Sequence, residues 1–175
     1  MLPKKETLTI EFKSDRHKLS NSEIFDAVVA FANTEGGDLY LGIEDSGEVT
    51  GVHKGHIDPT TLGAFIANNT LPPVSIRAEI IEDVYPVLKI SVPKSYNGIV
   101  ATISGKIQRR RIKADGTPEN VPMYPAEFAT RLSDLRMLDY SAMPISECSI
   151  NDFDSIEIER LRNLANSART ACPFR

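Results

Sequence analysis

The chain has no apolar run of 18 residues, and this excludes a membrane-spanning helix. Its first 15 residues, MLPKKETLTIEFKSD, contain no apolar h-region, and this excludes a secretory signal of the usual kind. There are two cysteines, Cys148 and Cys172, too far apart for a zinc or redox spacing, which points to a reducing, cytoplasmic location. Internal repeats and low-complexity tracts are missing. No GKS or GKT accompanies the glycines, so Walker-type ATP binding is unsupported. Basic residues are in slight deficit: 20 against 24 acids, net −4, which taken alone argues against a broad nucleic-acid-binding surface. No Ser/His/Asp or Cys/His arrangement suggests a nucleophile. His53 and His56 are three apart without a third ligand nearby, a poor basis for a metal site.

What remains is ordinary globular material. With 175 residues, 41% hydrophobic and 25% charged, the chain is long enough for one domain with a core plus an appendage. Its charge is unevenly spread. Residues 1–60 carry 6 bases and 11 acids, whereas KIQRRRIK (106–113) holds five bases and no acid.

Periodicity supplies the elements. LTIEFK (8–13) alternates and reads as a half-buried strand. Ser20 and Glu23 form a capping box ahead of a helix carrying Ile24, Val28 and Phe31, which should stop near Thr34 with Gly36 in the left-handed position. DLYLGIE (38–44) and VTGV (49–52) flank the turn Asp45-Ser46-Gly47 as a hairpin. A helix from Asp58-Pro59 carries Leu62, Phe65 and Ile66 and is ended by Pro72-Pro73. VSIRAEII (74–81) and VLKISVP (87–93) form a second hairpin. Residues 98–116 are an extended segment turning near Ser104-Gly105, a helix runs from Tyr124 to about Leu138, and a last one covers 155–169. The order predicts an α+β fold, a mainly antiparallel sheet with helices packed on it. The expected organisation is one domain over 1–138, then a linker and C-terminal helix (139–175) that open a further region.

The ordered set Glu6, Glu11-Phe12-Lys13, AFANTEGG (30–37), LGIEDSG (41–47) and Gly51-Val52, followed by Arg109–Arg111, Pro122-Met123 and Glu127, resembles the Schlafen AlbA-like (AlbA-2 type) family. That family is common in bacterial transcriptional regulators, and the resemblance covers roughly residues 5–138. It implies a DNA-binding domain. In eukaryotic Schlafens that cleave transfer RNA the same domain carries a Glu/Glu/Asp site, which the resemblance places at Glu6, Glu11 and Asp45 (or Glu44).

The residues themselves support several roles. Gly36 and Gly37, with Gly42 and Gly47, suit backbone that leaves a helix or turns tightly, and Asn33 can tie down the loop by side-chain hydrogen bonds. AFANTEGG therefore reads as a helix stop, with direct ligand contact as its rival. Glu6, Glu11, Glu44 and Asp45 are the candidate acidic cluster, and three hard oxygens would suit Mg²⁺ or Mn²⁺. Glu6 and Glu11, five apart, fall on opposite faces of a regular strand, so their convergence requires a bend. Lys13, Lys106, Arg109, Arg110, Arg111 and Lys113 are the candidate nucleic-acid contacts, with Arg109 and Arg111 on one strand face and Arg110 on the other. Tyr96, Tyr124 and Tyr140 are available for stacking. Three functions are expected from this: a nucleic-acid-binding module, DNA ahead of RNA, with no cofactor required; a divalent-metal-dependent endonuclease acting on RNA; or an interaction module, possible as a homo-oligomer through Ile158, Leu161 and Leu164 of the last helix.

Overall fold

The computed structural model describes residues 2–139 and 149–171, and it divides into two compact units, Met1–Leu138 and Asp139–Arg175. The first unit is an α+β fold. Strand β1 (Ile10–Lys13) leads into helix α1 (Asn21–Ala32) and strand β2 (Gly37–Leu41). Helix α2 (Leu62–Asn68) precedes β3 (Thr70–Leu71), β4 (Arg77–Ile81), β5 (Val87–Val92), β6 (Ala101–Thr102), β7 (Gln108–Ile112) and β8 (Pro118–Pro122). Helix α3 (Pro125–Asp134) ends the unit. The second unit contains a 3₁₀ turn, Ile150–Asp152, and helix α4 (Ser155–Ala171). Tyr140, Cys148, Cys172 and most of the expected linker lie outside the described residues.

The main sheet has the order β1-β2-β5-β4. β5 pairs antiparallel with both β2 and β4, as the alternating segments predicted for the second of these pairs. β1 and β2 are parallel, with Glu11 opposite Leu39, because the intervening α1 carries the chain back across the sheet before β2 begins. The expected hairpin of 38–44 with 49–52 reduces to one bridge, Ile43 to Val49, since β2 has given its ladder to β1 and β5.

Helix α1 starts at the capping box read from the sequence. Ser20 Oγ accepts from Glu23 N–H at 3.2 Å, and the Glu23 carboxylate accepts from Ser20 N–H at 3.2 Å. Ile24 and every residue from Ala27 to Ala32 are buried, so the C-terminal half of the helix is wrapped on all sides while its first turn is exposed. Its Val28 and Phe31 join Leu39, Leu41, Leu88 and Ile90 of the sheet in the larger core. Burying a side chain such as Phe31 or Leu39 is worth about 1.5–3 kcal/mol. On the opposite sheet face Phe12, Tyr40, Ile43 and Val87 form a second, smaller core.

The chain leaves α1 through Gly36 (φ +71°) and Gly37. A Cβ on Gly37 would stand 2.4 Å from the Thr9 carbonyl oxygen and 2.6 Å from the Phe31 ring, so no larger residue fits between β1 and the helix. Asn33, at the helix C-cap, is 4% exposed. Its amide accepts from Val100 N–H (2.7 Å) and donates to the carbonyls of Val100 (2.7 Å) and Gln108 (2.9 Å). Asn33 thereby acts as one extra rung of backbone, fixing the segment that enters β7 against the end of α1.

Candidate functional site

Four segments build the site: the turn before β1, β1 itself, the Glu44–Gly47 turn and the β7–β8 ribbon. The strand expected from Leu8 is bent. Thr7 and Ile10 exchange backbone hydrogen bonds of 3.0 and 3.3 Å, closing a tight turn over Leu8 and Thr9, and β1 starts only at Ile10. This turn brings Glu6 back alongside β1, where its carboxylate accepts from Phe12 N–H at 2.8 Å. Glu6, Glu11 and Asp45 then line one cleft of about 540 Å³, together with Lys13, Lys113 and Asn120. The convergence that required a bend is present.

Arg110 lies at the bottom of that cleft. It was expected to contact phosphate, and the structure turns it inward, with a side chain only 1% exposed. Arginine has five N–H donors, and all five are taken here. Nε donates to Leu8 O (2.8 Å), Nη1 to Glu11 (2.5 Å) and Asn120 (2.9 Å), and Nη2 to Thr7 O (2.9 Å) and Ile10 O (3.2 Å). The guanidinium also stacks over the Phe31 ring, 4.5 Å from its centroid. Burial pulls its pKa below the ordinary arginine value, and the negative charges of Glu11 and then Glu6 pull it back up. Arg110 has no donor left for a nucleic acid, so its candidacy is corrected: alternation put it on the inner face of β7.

Glu11 is equally committed. Besides Arg110 it accepts from Asn120 Nδ2 at 3.0 and 3.1 Å, and Lys13 Nζ sits 3.1 Å away. Glu44 belongs to a different cluster. Hydrogen bonds from Thr50 (2.7 Å) and Ser14 (2.9 Å), with Arg16 at 3.1 Å, occupy its carboxylate. The Thr50 hydroxyl is the main cause holding its pKa below the usual glutamate value; burial opposes this, and Ser14 and Arg16 add to the lowering. Asp45 is exposed on the turn. Among the described residues no three His, Cys, Asp or Glu side chains come together to hold a metal ion. The donor set that the resemblance implies for Mg²⁺ or Mn²⁺ therefore does not fit an ion, since the central carboxylate is filled by protein donors.

The remaining bases each face an acid that is distant in sequence or across a turn. Arg109 pairs with Glu127 of α3, Arg111 with Glu119 across the ribbon (2.6 Å), Lys106 with Asp26 of α1 (2.9 Å), and Lys113 with Asp115 (3.8 Å). The Arg109 hydrogen bond, ahead of the one from Tyr124 N–H, holds the Glu127 pKa below its ordinary value. The uncompensated basic run of the sequence is thus compensated in space. Lys113 (43% exposed side chain) and Lys13 (36%) nevertheless present their heads to solvent along the cleft, and Arg111 (51%) presents its head to solvent on the same ribbon.

Two important residues carried no signal of their own. Asn120 is the direct ladder partner of Arg110, and only recognition of the β7–β8 hairpin, whose Ala114-Asp115-Gly116 turn is visible in the sequence, would have found it. Asp15 is fully buried, accepting from Leu19 N–H (2.7 Å) and His53 N–H (2.8 Å) and contacting His56 Nδ1 at 2.9 Å. It pins the loop after β1 and gives His56 a structural partner. Tyr96 and Tyr124 are exposed. In the second unit α4 exposes Ile156, Leu161 and Leu164. Among the described residues no helix is long and apolar enough to cross a membrane.

The family model described as "Schlafen, AlbA_2" matches residues 6–118. Among solved structures the chain is similar to the DIP2311 protein of Corynebacterium diphtheriae, at 21% identity and a TM-score of 0.57, covering 89% of this chain and 29% of that one. It is also similar to the N-terminal domain of a protein related to the ATP-dependent DNA helicase RecG from Nitrosomonas europaea, at 18% identity and a TM-score of 0.41, covering 82% of this chain and 89% of that one. The chain thus spans under a third of the DIP2311 protein, and that likeness bears on the fold alone. A search of curated proteins gave no match.

Proposed function

This chain belongs to the Schlafen AlbA_2 family, and we propose that it binds nucleic acid by its phosphate backbone at the rim of the cleft between β1 and the β7–β8 ribbon. DNA is the proposed ligand ahead of RNA, and the proposed setting is a bacterial transcriptional regulator. The observation that carries the reading is the sorting of the cations. Arg110 is locked beneath the cleft, while Lys13 and Lys113 keep exposed heads on its lining and Arg111 is exposed on the neighbouring ribbon, paired with Glu119 of the cleft wall.

The acids facing Arg111 and Lys113 do not prevent phosphate contact. Exposed ion pairs are worth only about 0–1 kcal/mol, so a phosphate can replace a carboxylate at little cost. Arg111 and Lys113 share the end of one ribbon, and Lys113 lines the cleft wall. Contacts of this kind position a backbone and carry no base sequence.

The test is fluorescence anisotropy with a labelled DNA duplex and an RNA hairpin of equal charge. Three phosphate contacts give a slope of log K against log salt of about −2.7, a loss of roughly 40-fold between about 50 and 200 mM salt. Replacing Arg111 and Lys113 with alanine should bring the slope to about −0.9, a loss of about fourfold over the same range. An unchanged slope in the double variant, or no binding at the lower salt, would sink the proposal. Tighter RNA binding would reassign the ligand.

A further inference from the structure

We propose that Arg110 is the resident cation of the acidic cleft: its guanidinium stands where the Glu/Glu/Asp set would hold a divalent ion, so that the cleft takes a phosphodiester backbone without a metal and without cutting it. The nature of the ligand rests on the binding reading above; the metal part rests on Glu11 and its partners alone.

A divalent ion such as Mg²⁺ or Mn²⁺ needs carboxylate oxygens with open lone pairs at about 2.0–2.2 Å. Glu11 offers none. One of its oxygens lies 2.5 Å from Arg110 Nη1, and the other faces Asn120 Nδ2 at 3.0 Å and Lys13 Nζ at 3.1 Å. Glu6 has one oxygen tied to the backbone of Phe12, and Asp45 rides on an exposed turn. An ion could take both Glu11 oxygens only if Arg110 withdrew. That would strip donors from the carbonyls of Thr7, Leu8 and Ile10, from Asn120 and from Glu11 together, and would lift the guanidinium off Phe31. Unpaired buried acceptors of this kind are expensive. Two cations crowded onto one carboxylate would also repel each other.

The arrangement has a mechanistic consequence. A metal in a nuclease supplies charge stabilisation and an activated water at the scissile phosphate. Arg110 supplies its charge to Glu11 and, at longer range, to Glu6, and with every N–H engaged it cannot follow a moving phosphate oxygen. The groups left to face a phosphate are the exposed heads of Lys13 and Lys113, which bind and orient.

The test uses the full chain without nucleic acid, so its failure is separate from failure of the binding reading. Mn²⁺ is titrated in and the signal of the free aqua ion is followed by electron paramagnetic resonance. The expected result is an undiminished free-ion signal up to about 1 mM, with a melting temperature that about 10 mM MgCl₂ leaves within about 1 °C of its value in EDTA at equal ionic strength. One Mn²⁺ bound per chain with a Kd below about 100 µM, weakened tenfold or more by Glu11→Gln, would overturn the proposal. Arg110→Gln supplies the converse. It removes the cation and frees the Glu11 oxygen that Arg110 holds, so the variant should gain a Mn²⁺ site if it folds. A folded Arg110→Gln protein that gains none would show that the guanidinium is not what keeps the ion out, and the proposal would fall. If it does not fold, the titration of the unaltered chain decides.

Discussion

Replacing Arg110 with methionine should destabilise the first unit more than any other single change to the basic run. The perturbation removes a cation whose side chain is 1% exposed from beside a carboxylate that is 5% exposed. Methionine fills much of the space over Phe31 but donates nothing. Glu11 keeps Asn120 and Lys13, whereas the carbonyls of Thr7, Leu8 and Ile10 lose a donor. Breaking one side of a buried ion pair costs about 3–5 kcal/mol, and loss of the cation–π contact adds about 0.5–2 kcal/mol. With a urea m-value of about 2 kcal/mol/M, the midpoint should fall by roughly 1.8–3.5 M. The assay is urea unfolding followed by far-ultraviolet circular dichroism, with Glu11→Leu and the double variant completing a cycle. The double variant should be less destabilised than the sum of the singles by about 2 kcal/mol or more, because removing both charges leaves no unpaired ion. A cost below about 1 kcal/mol for Arg110→Met, or strict additivity, would refute the reasoning.

Other consequences follow from the same contacts. Asn33→Asp cannot donate to the carbonyls of Val100 and Gln108 and buries a charge, so it should cost about 3 kcal/mol or more by urea unfolding; a cost under about 1 kcal/mol would contradict the role of Asn33 as a backbone rung. Gly37→Ala pushes a methyl to 2.4 Å from Thr9 O and should cost at least as much stability in urea unfolding as a typical core truncation, about 2–5 kcal/mol. Glu44 has its pKa held below the usual value chiefly by Thr50. Its contribution to stability is therefore present above the unfolded glutamate pKa of about 4.3 and is lost as pH falls through the lower folded value. In Thr50→Val the Glu44 carboxyl, followed by carbon-13 NMR, should titrate closer to its ordinary value, and an unmoved titration would reject that assignment.

Much of this was legible in the chain itself, for identifiable physical reasons. The Ser20–Glu23 capping box, the β4–β5 alternation and the Gly36 helix exit are local signals, and each element lies where its signal predicts. The parallel β1–β2 pair was not legible, because strand direction is set by where α1 returns the chain. Strand β8 was missed because PENVP (118–122) has no alternating pattern and two prolines; it exists as the partner of β7, and its Asn120 serves Arg110. In the site, the bend that joins Glu6 to Glu11 was recognised as necessary, and it is supplied by the turn over Leu8 and Thr9. The fate of the basic run was hidden. Alternation put Arg110 on a face apart from Arg109 and Arg111, yet only the packing of β7 against α1 and the pre-β1 turn decides that this face is interior. The acids that answer Arg109 and Lys106, Glu127 and Asp26, lie 18 and 80 residues away in sequence.

The most direct measurement of the central claim is a titration of the isotope-labelled chain with a short DNA duplex, followed residue by residue in ¹H–¹⁵N correlation spectra. The account predicts shifts concentrated at Lys13, Arg111, Lys113, Thr117 and Asn120, around one cleft, that diminish as salt rises. Shifts confined to the opposite face of the main sheet, around Asp38, Lys89 and Ser91, or an unchanged spectrum at low salt, would contradict it.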